Sequence, residues 1–383
     1  MKNESKQLAD NKKKKSFPWG IIIFYVACLL IGVLLGSVLE KEAFEEFGRI
    51  FLPAILFFII SYFLHIIVHE GGHMVFGLAT GYRFVSFRVG SLMWEKKKDG
   101  QIRFSRFSLA GTGGQCLMAP PAYNDGHYPY RLYNLGGGLA NFILSGICGL
   151  LLLLNLGEMT ELYLAMMMVS GIVLGAMNLI PVKKVNNDGS NLVEIGKSEA
   201  ARKAFWLQMR VNEEIARGVR MKDMPEEWFA RLEENRKNIM VTSVDVLCCN
   251  RLMDQMALDE AKEKMLALLH ENYLAGVYKN LLIFELSFLE LLEGKAAEYT
   301  EETNQRQIAA FAKAMKNFPS ILRWQYAKAL LFDKNRDEAE KIKAAFDKMS
   351  KSYPHPCEIE GEKELMQLVD HKAAEAENAP ETL

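Results

Sequence analysis

Residues 51–73 read Phe51-Leu-Pro-Ala-Ile-Leu-Phe-Phe-Ile-Ile-Ser-Tyr-Phe-Leu-His65-Ile-Ile-Val-His69-Glu70-Gly71-Gly72-His73. From Phe51 to Val68 no Asp, Glu, Lys or Arg occurs, the composition of a helix that crosses a bilayer. The run ends in His-Glu-Gly-Gly-His. On a helix, His69 and His73 lie one turn apart and project from the same face. Two imidazoles so placed can grip a single Zn²⁺, and Glu70 beside them can take a proton from a water. The competing explanation is a polar seam between helices, but ionisable groups within a span cost several kcal/mol unless paired or functional. His65 falls one turn earlier on the same face and reads as a hydrogen-bonded seam residue rather than a fourth metal contact.

Working outward, the chain has 383 residues, room for a membrane unit and a soluble domain. A net charge of −1 gives no sign of bulk nucleic-acid binding, and no nucleic acid is expected as a partner. Six cysteines without a C-x-x-C pair do not form a disulfide framework and fit a reducing compartment for the soluble part. Cys248 and Cys249 read as buried helix residues.

Residues 1–16, with Lys12 to Lys15 consecutive, are expected to form a disordered basic arm held in the cytoplasm. The apolar stretch at 18–39 is too long for a signal-peptide core and reads as a first span. Residues 40–50, rich in Glu, read as a short outer loop. A second span over 51–79 would return inward, carrying the His-Glu-Gly-Gly-His motif to the inner edge of the bilayer.

Between 82 and 110, apolar and polar residues alternate on both sides of Asp99-Gly100. That pattern predicts a β-hairpin of about 84–89 with 102–107. Its many basic residues, Arg88 among them, mark a cytoplasmic loop resting on lipid headgroups or holding substrate in extended form. Gly111 to Pro121 reads as loop or re-entrant chain, and His127 as an ordinary loop histidine. Spans over 132–156 and 162–181 follow, the former opening on Gly136-Gly137-Gly138 and carrying Asn141, whose amide needs a partner in hydrocarbon. Lys183 and Lys184 come directly after the last span. Four spans with both termini cytoplasmic satisfy these charges.

A zinc hydrolase needs a third protein ligand and an open position. Asp188, just past the last span, would sit at the depth of the two histidines. Asn187-Asp188-Gly189 also suits a plain turn, and Glu194 and Glu199 are rival acidic ligands. Asp188 is nearer the span and is preferred.

Taken together, His69-Glu70-x-x-His73, Gly137-x-x-x-Asn141 and Asn178-x-x-Pro181 followed by Asp188-Gly189 resemble the site-2 protease family of intramembrane zinc metalloproteases. The resemblance covers about 51–195. It implies zinc held at His69, His73 and Asp188, Glu70 as catalytic base, and Asn141 as a catalytic-site residue holding substrate or the tetrahedral intermediate. The gap from Asn178 to Asp188 is two residues longer than usual, and the proline common beside Gly138 is missing. No PDZ insertion occurs, so the likeness is to the compact members, whose sporulation branch releases a transcription factor from its pro-sequence.

Residues 196–372 are polar, charged and helical in period. Asp259-Glu260-Ala261 and Asp337-Glu338-Ala339 each precede an apolar stripe, with a further copy suggested near Gly294, as in degenerate tetratricopeptide-like hairpins that bind a protein partner. Residues 373–383 read as a disordered tail. The expected fold is an all-α polytopic membrane protein with a small β-hairpin insertion: a transmembrane domain over 17–195 and a C-terminal helical cytoplasmic domain. The expected activity is zinc-dependent hydrolysis of a peptide bond in a membrane-embedded protein or peptide, in the cell membrane of a bacterium. The rivals are a zinc protease with a glutamate third ligand and a non-catalytic scaffold presenting the helical repeats.

Overall fold

The structure is a computed structural model describing residues 41–107, 112–182, 187–271, 274, 276–295 and 305–378. The expected basic arm and first span lie outside the described residues. The described residues are mostly helical, with one four-stranded antiparallel sheet among them. Among the described residues, three helices are long and apolar enough to cross a membrane: Gly48–Ala79, Tyr130–Leu154 and Glu158–Leu179.

The first of these is the greater part of α1 (Lys41–Ala79). The expected outer loop at 40–50 is instead helical from Lys41, because its Glu, Lys and Ala residues are good helix formers and outweigh the single Gly48. Helices α2 (Tyr130–Leu151) and α3 (Glu158–Leu179) make a hairpin closed by Asn155 and Gly157, both at positive φ. All three pack on one another through small residues. A Cβ on Gly136 would lie 2.7 Å from the carbonyl oxygen of Gly72, so α1 and α2 cross backbone to backbone. Outward, Leu52, Leu56, Phe63, Ile67, Leu150 and Met177 are exposed, an apolar belt of the kind lipid covers.

The sheet follows α1 directly. Its strands β1 (Arg83–Val89), β2 (Leu92–Lys96), β3 (Ile102–Arg106) and β4 (Gly114–Ala119) lie in the order β3-β2-β1-β4. The Asp99-Gly100 turn exists, but β3 pairs across it with β2, not with β1. Gly90, at φ 57°, turns the chain early enough for Leu92–Lys96 to form a strand of its own. Part of the stretch expected as loop, Gly114–Ala119, is a strand too, paired with the other side of β1.

Beyond α3 come α4 (Asp188–Gly196), α5 (Glu199–Ala216) and α6 (Ile239–Asp254). Ile195, Ala201, Leu207 and Val244 share a buried core with Cys116 and Met118 of β4, so the sheet is clasped between the spans and the polar half of the chain. The remaining helices are α7 (Leu258–Glu271), α8 (Gly276–Leu292), α9 (Gln305–Ala314), α10 (Pro319–Ala327), α11 (Arg336–Ser350) and α12 (Pro356–Asn378). Met265, Leu286, Phe288 and Phe346 centre their core. Ala261 and Ala339, from the two Asp-Glu-Ala copies, are both buried in the first turn of a helix. Helix α12 continues to Asn378, into the stretch expected as tail, because Ala and Glu sustain a helix.

Two features bind this half together. Arg323, 1% exposed, donates to Glu285 Oε2 and Glu362 Oε2 at 2.6 Å each and lies over the Phe288 ring. Lys97 donates to Glu95 and to the carbonyl of Pro354 at 2.9 Å, and His355 lies 3.3 Å from Glu95, so the loop before α12 is latched to β2.

Candidate metal centre

His69 and His73 fall in the last third of α1, on the face turned toward α2 and the start of α4. Their Nε2 atoms are 3.2 Å apart. Oδ2 of Asp188 is 3.1 Å from the first and 3.3 Å from the second. The triangle has nearly equal sides, close to the ~3.3 Å between ligands at a tetrahedral ion with bonds of ~2.0 Å. Among the described residues these three form the group that could hold a metal ion.

The surroundings fit that use. His73 Nδ1 donates to the carbonyl of Tyr133 at 2.8 Å, which leaves its Nε2 with a lone pair turned to the shared point. Oδ2 of Asp188 is buried without a hydrogen-bond donor, and a cation satisfies such an atom. Two neutral imidazoles and a carboxylate are a donor set suited to zinc.

Asp188 is held by its neighbours in sequence. Asn187 caps α4, its side chain accepting from Ser190 N at 2.9 Å. The same amide donates to the carbonyls of Met177 and Ile180 at 2.7 Å each, taking up carbonyls that the end of α3 leaves free. Gly189 lies so tightly on the Leu179 carbonyl that no Cβ could fit. The residues that also read as a turn therefore pin Asp188 to the end of α3. The rival acids are otherwise engaged: Glu194 pairs with Lys197 and accepts from Asn238, and Glu199 packs against Gly126 in a tight turn before α2. His127, next to that glycine, is exposed, as a loop histidine would be.

Glu70 is buried beside the two histidines, against the start of β4. Gly137 of α2 lies opposite: a Cβ there would be 2.6 Å from Nε2 of both histidines. Asn141 is fully buried between His65 and His69, 3.0 Å from Nδ1 of the former and 3.4 Å from Nδ1 of the latter. His65 is a seam residue as expected, its Nε2 2.9 Å from the carbonyl of Met167.

Sequence reasoning missed Arg88. Counted there among basic surface residues, it is 1% exposed. Its guanidinium donates to Gly90 O at 2.8 Å, Thr112 Oγ1 at 2.5 Å and Gly114 O at 3.4 Å, and is close enough to Glu70 to act on it electrostatically. Alternation along β1 gave no signal of this, since it sets Arg88 with Ser86 opposite the apolar Phe87 and Val89, yet both Ser86 and Arg88 are buried. Tyr133 was missed as well. Its hydroxyl donates to Cys116 O at 2.9 Å and its ring stacks on Tyr82, tying the carbonyl that holds His73 to the sheet. Burial pushes the Cys116 thiol up to about 12, which keeps it protonated.

No known family, curated protein or solved structure matches the chain.

Proposed function

We propose that the chain is a zinc-dependent endopeptidase of the site-2 protease type, cleaving a protein substrate in or next to a transmembrane segment on the cytoplasmic side of a cell membrane. The observation that carries this reading is the convergence of His69, His73 and Asp188 within 3.1–3.3 Å, with Glu70 buried beside them, at one end of three apolar helices. A buried acid next to three convergent ligand atoms is what hydrolysis needs, whereas a scaffold gains nothing from it in hydrocarbon.

His69, His73 and Asp188 would hold the zinc, which when bound supplies Lewis acidity at the scissile carbonyl. Glu70 takes a proton from the attacking water and returns it to the leaving amine. The amides of a helical substrate are closed to attack, so the segment to be cut is unwound first. Strand β4, whose first residue touches Glu70, offers an edge along which an extended segment could lie. The C-terminal helices, with their repeated Asp-Glu-Ala starts, would present a face to a protein partner.

The test is Glu70→Gln in the purified full-length chain. Zinc content should stay that of the parent while cleavage of a membrane-embedded reporter falls below detection. Cleavage at the parental rate would sink the mechanism.

A further inference from the structure

The hydrogen bonds behind His69 assign a role to two residues that need not touch substrate. This rests on the metal reading above. His65, fully buried, lies with Nε2 2.9 Å from the Met167 carbonyl. A carbonyl only accepts, so Nε2 carries the proton and Nδ1 of the neutral ring has a lone pair. The group facing Nδ1 is the Asn141 amide, which must therefore donate. At the other end, His69 turns Nε2 to Asp188 and His73 and needs its lone pair there. Its proton is then on Nδ1, and what faces Nδ1 is again the Asn141 amide, which must accept.

Both ends demand one orientation: amide nitrogen to His65, oxygen to His69. The opposite placement, with Oδ1 toward His65, fits the same contacts, since the two atoms of an amide are told apart only by their partners. That placement would require His65 to be an imidazolium, buried beside no carboxylate among its hydrogen-bond partners, and would put the His69 proton on the nitrogen facing Asp188. The first is costly in hydrocarbon. The second removes a ligand.

We propose that Met167 O, His65, Asn141 and His69 form a one-way relay that fixes the His69 tautomer, and that His65 and Asn141 are positioning residues for the metal ligand. The packing is built for it. A Cβ on Gly171 would strike His65 and Ser145, so glycine is what lets His65 reach α3, and the Ser145 hydroxyl is turned back to the backbone carbonyl of Asn141 at 2.8 Å, leaving the Asn141 side-chain amide to the two histidines.

The experiment measures zinc affinity of the full-length chain in detergent against a competing chelator, together with the visible spectrum of the cobalt-substituted protein. Asn141→Leu and His65→Leu should each weaken zinc roughly 10- to 100-fold, the usual effect of losing a group behind a ligand. His65→Gln, whose amide can still donate to Met167 O and accept from Asn141, should stay much closer to the parent than His65→Leu and keep the parental cobalt spectrum. Leucine variants that bind zinc as the parent does, with only KM or kcat changed, would overturn the relay and return Asn141 to substrate binding. Leucine and glutamine at 65 weakening zinc equally would also overturn it, since bulk alone would then explain the loss. If the parent itself binds no divalent metal, the metal reading fails, which is a different result from either.

Discussion

Gly114 and Glu70 are in contact: a Cβ on Gly114 would lie 2.6 Å from Cγ and from Oε1 of Glu70. The start of β4 thus sets where the carboxylate can be. Gly114→Ala cannot be relieved by moving the carboxylate tip alone, since Cγ is struck as well. Displacing a catalytic group by ~1 Å costs about 100-fold in rate. The expected result is a fall of that order in cleavage rate with zinc content unchanged, measured by reporter cleavage and metal analysis on one preparation.

Gly137 makes the complementary case. An added methyl there would sit 2.6 Å from both ligand nitrogens, in the space where an ion must be. Gly137→Ala should therefore lose zinc as well as activity, in contrast to Gly114→Ala. Retention of a full equivalent of zinc by the Gly137 variant would count against the metal position inferred from His69, His73 and Asp188.

These contacts show which parts of the site a sequence can disclose. His69 and His73 were legible because helical spacing alone puts them on one face, and Asp188 because the end of an apolar run marks depth. In the sequence, Gly114 reads only as part of a loop and Gly137 only as a place where another helix or a substrate could come close, since nothing local says what a missing Cβ makes room for. Arg88 was misread because a charge in a hairpin looks solvated until its acceptors are known, and those acceptors, Gly90, Thr112 and Gly114, come from the turn after β1 and the start of β4, which are distant in sequence. Strand register failed for a similar reason. The Asp-Gly turn was seen, but β1 takes its partners from β2 and β4, and that choice is made by non-local packing against α5 and α6.

Arg88→Met would strip the donor from three oxygens around the start of β4. Leaving buried acceptors unpaired costs about 1–3 kcal/mol each. The variant should melt at lower temperature and cleave more slowly, with zinc retained, because the guanidinium holds the strand and not the metal. Loss of zinc in this variant, with the fold intact by circular dichroism, would contradict that division of labour.

Asn187→Ala tests how the third ligand is held. The change removes the cap of α4 and two hydrogen bonds to the end of α3. A lost cap costs about 1 kcal/mol, and an unfixed Asp188 should weaken zinc by about tenfold. Glu194→Gln and Glu199→Gln should leave zinc affinity unchanged, as Glu194 is held by Lys197 and Asn238 and Glu199 lies against Gly126, away from the histidines. Zinc loss on changing either glutamate would reopen the question of the third ligand.

The helical half is pinned by Arg323 between Glu285 and Glu362. Removing one member of a buried ionic group is far worse than removing all of it, because the survivors keep their charge without a partner. Arg323→Met should destabilise this half by about 3–5 kcal/mol, seen as an early transition in thermal denaturation. The triple change Arg323→Met, Glu285→Gln, Glu362→Gln should recover much of that loss. This half is also latched to β2 through Lys97, Glu95 and His355. The early transition of the single variant should therefore be accompanied by faster proteolysis around 95–107, while zinc, held by the spans and the start of α4, stays bound. A single variant as stable as the parent would mean that the two glutamates are accommodated without Arg323.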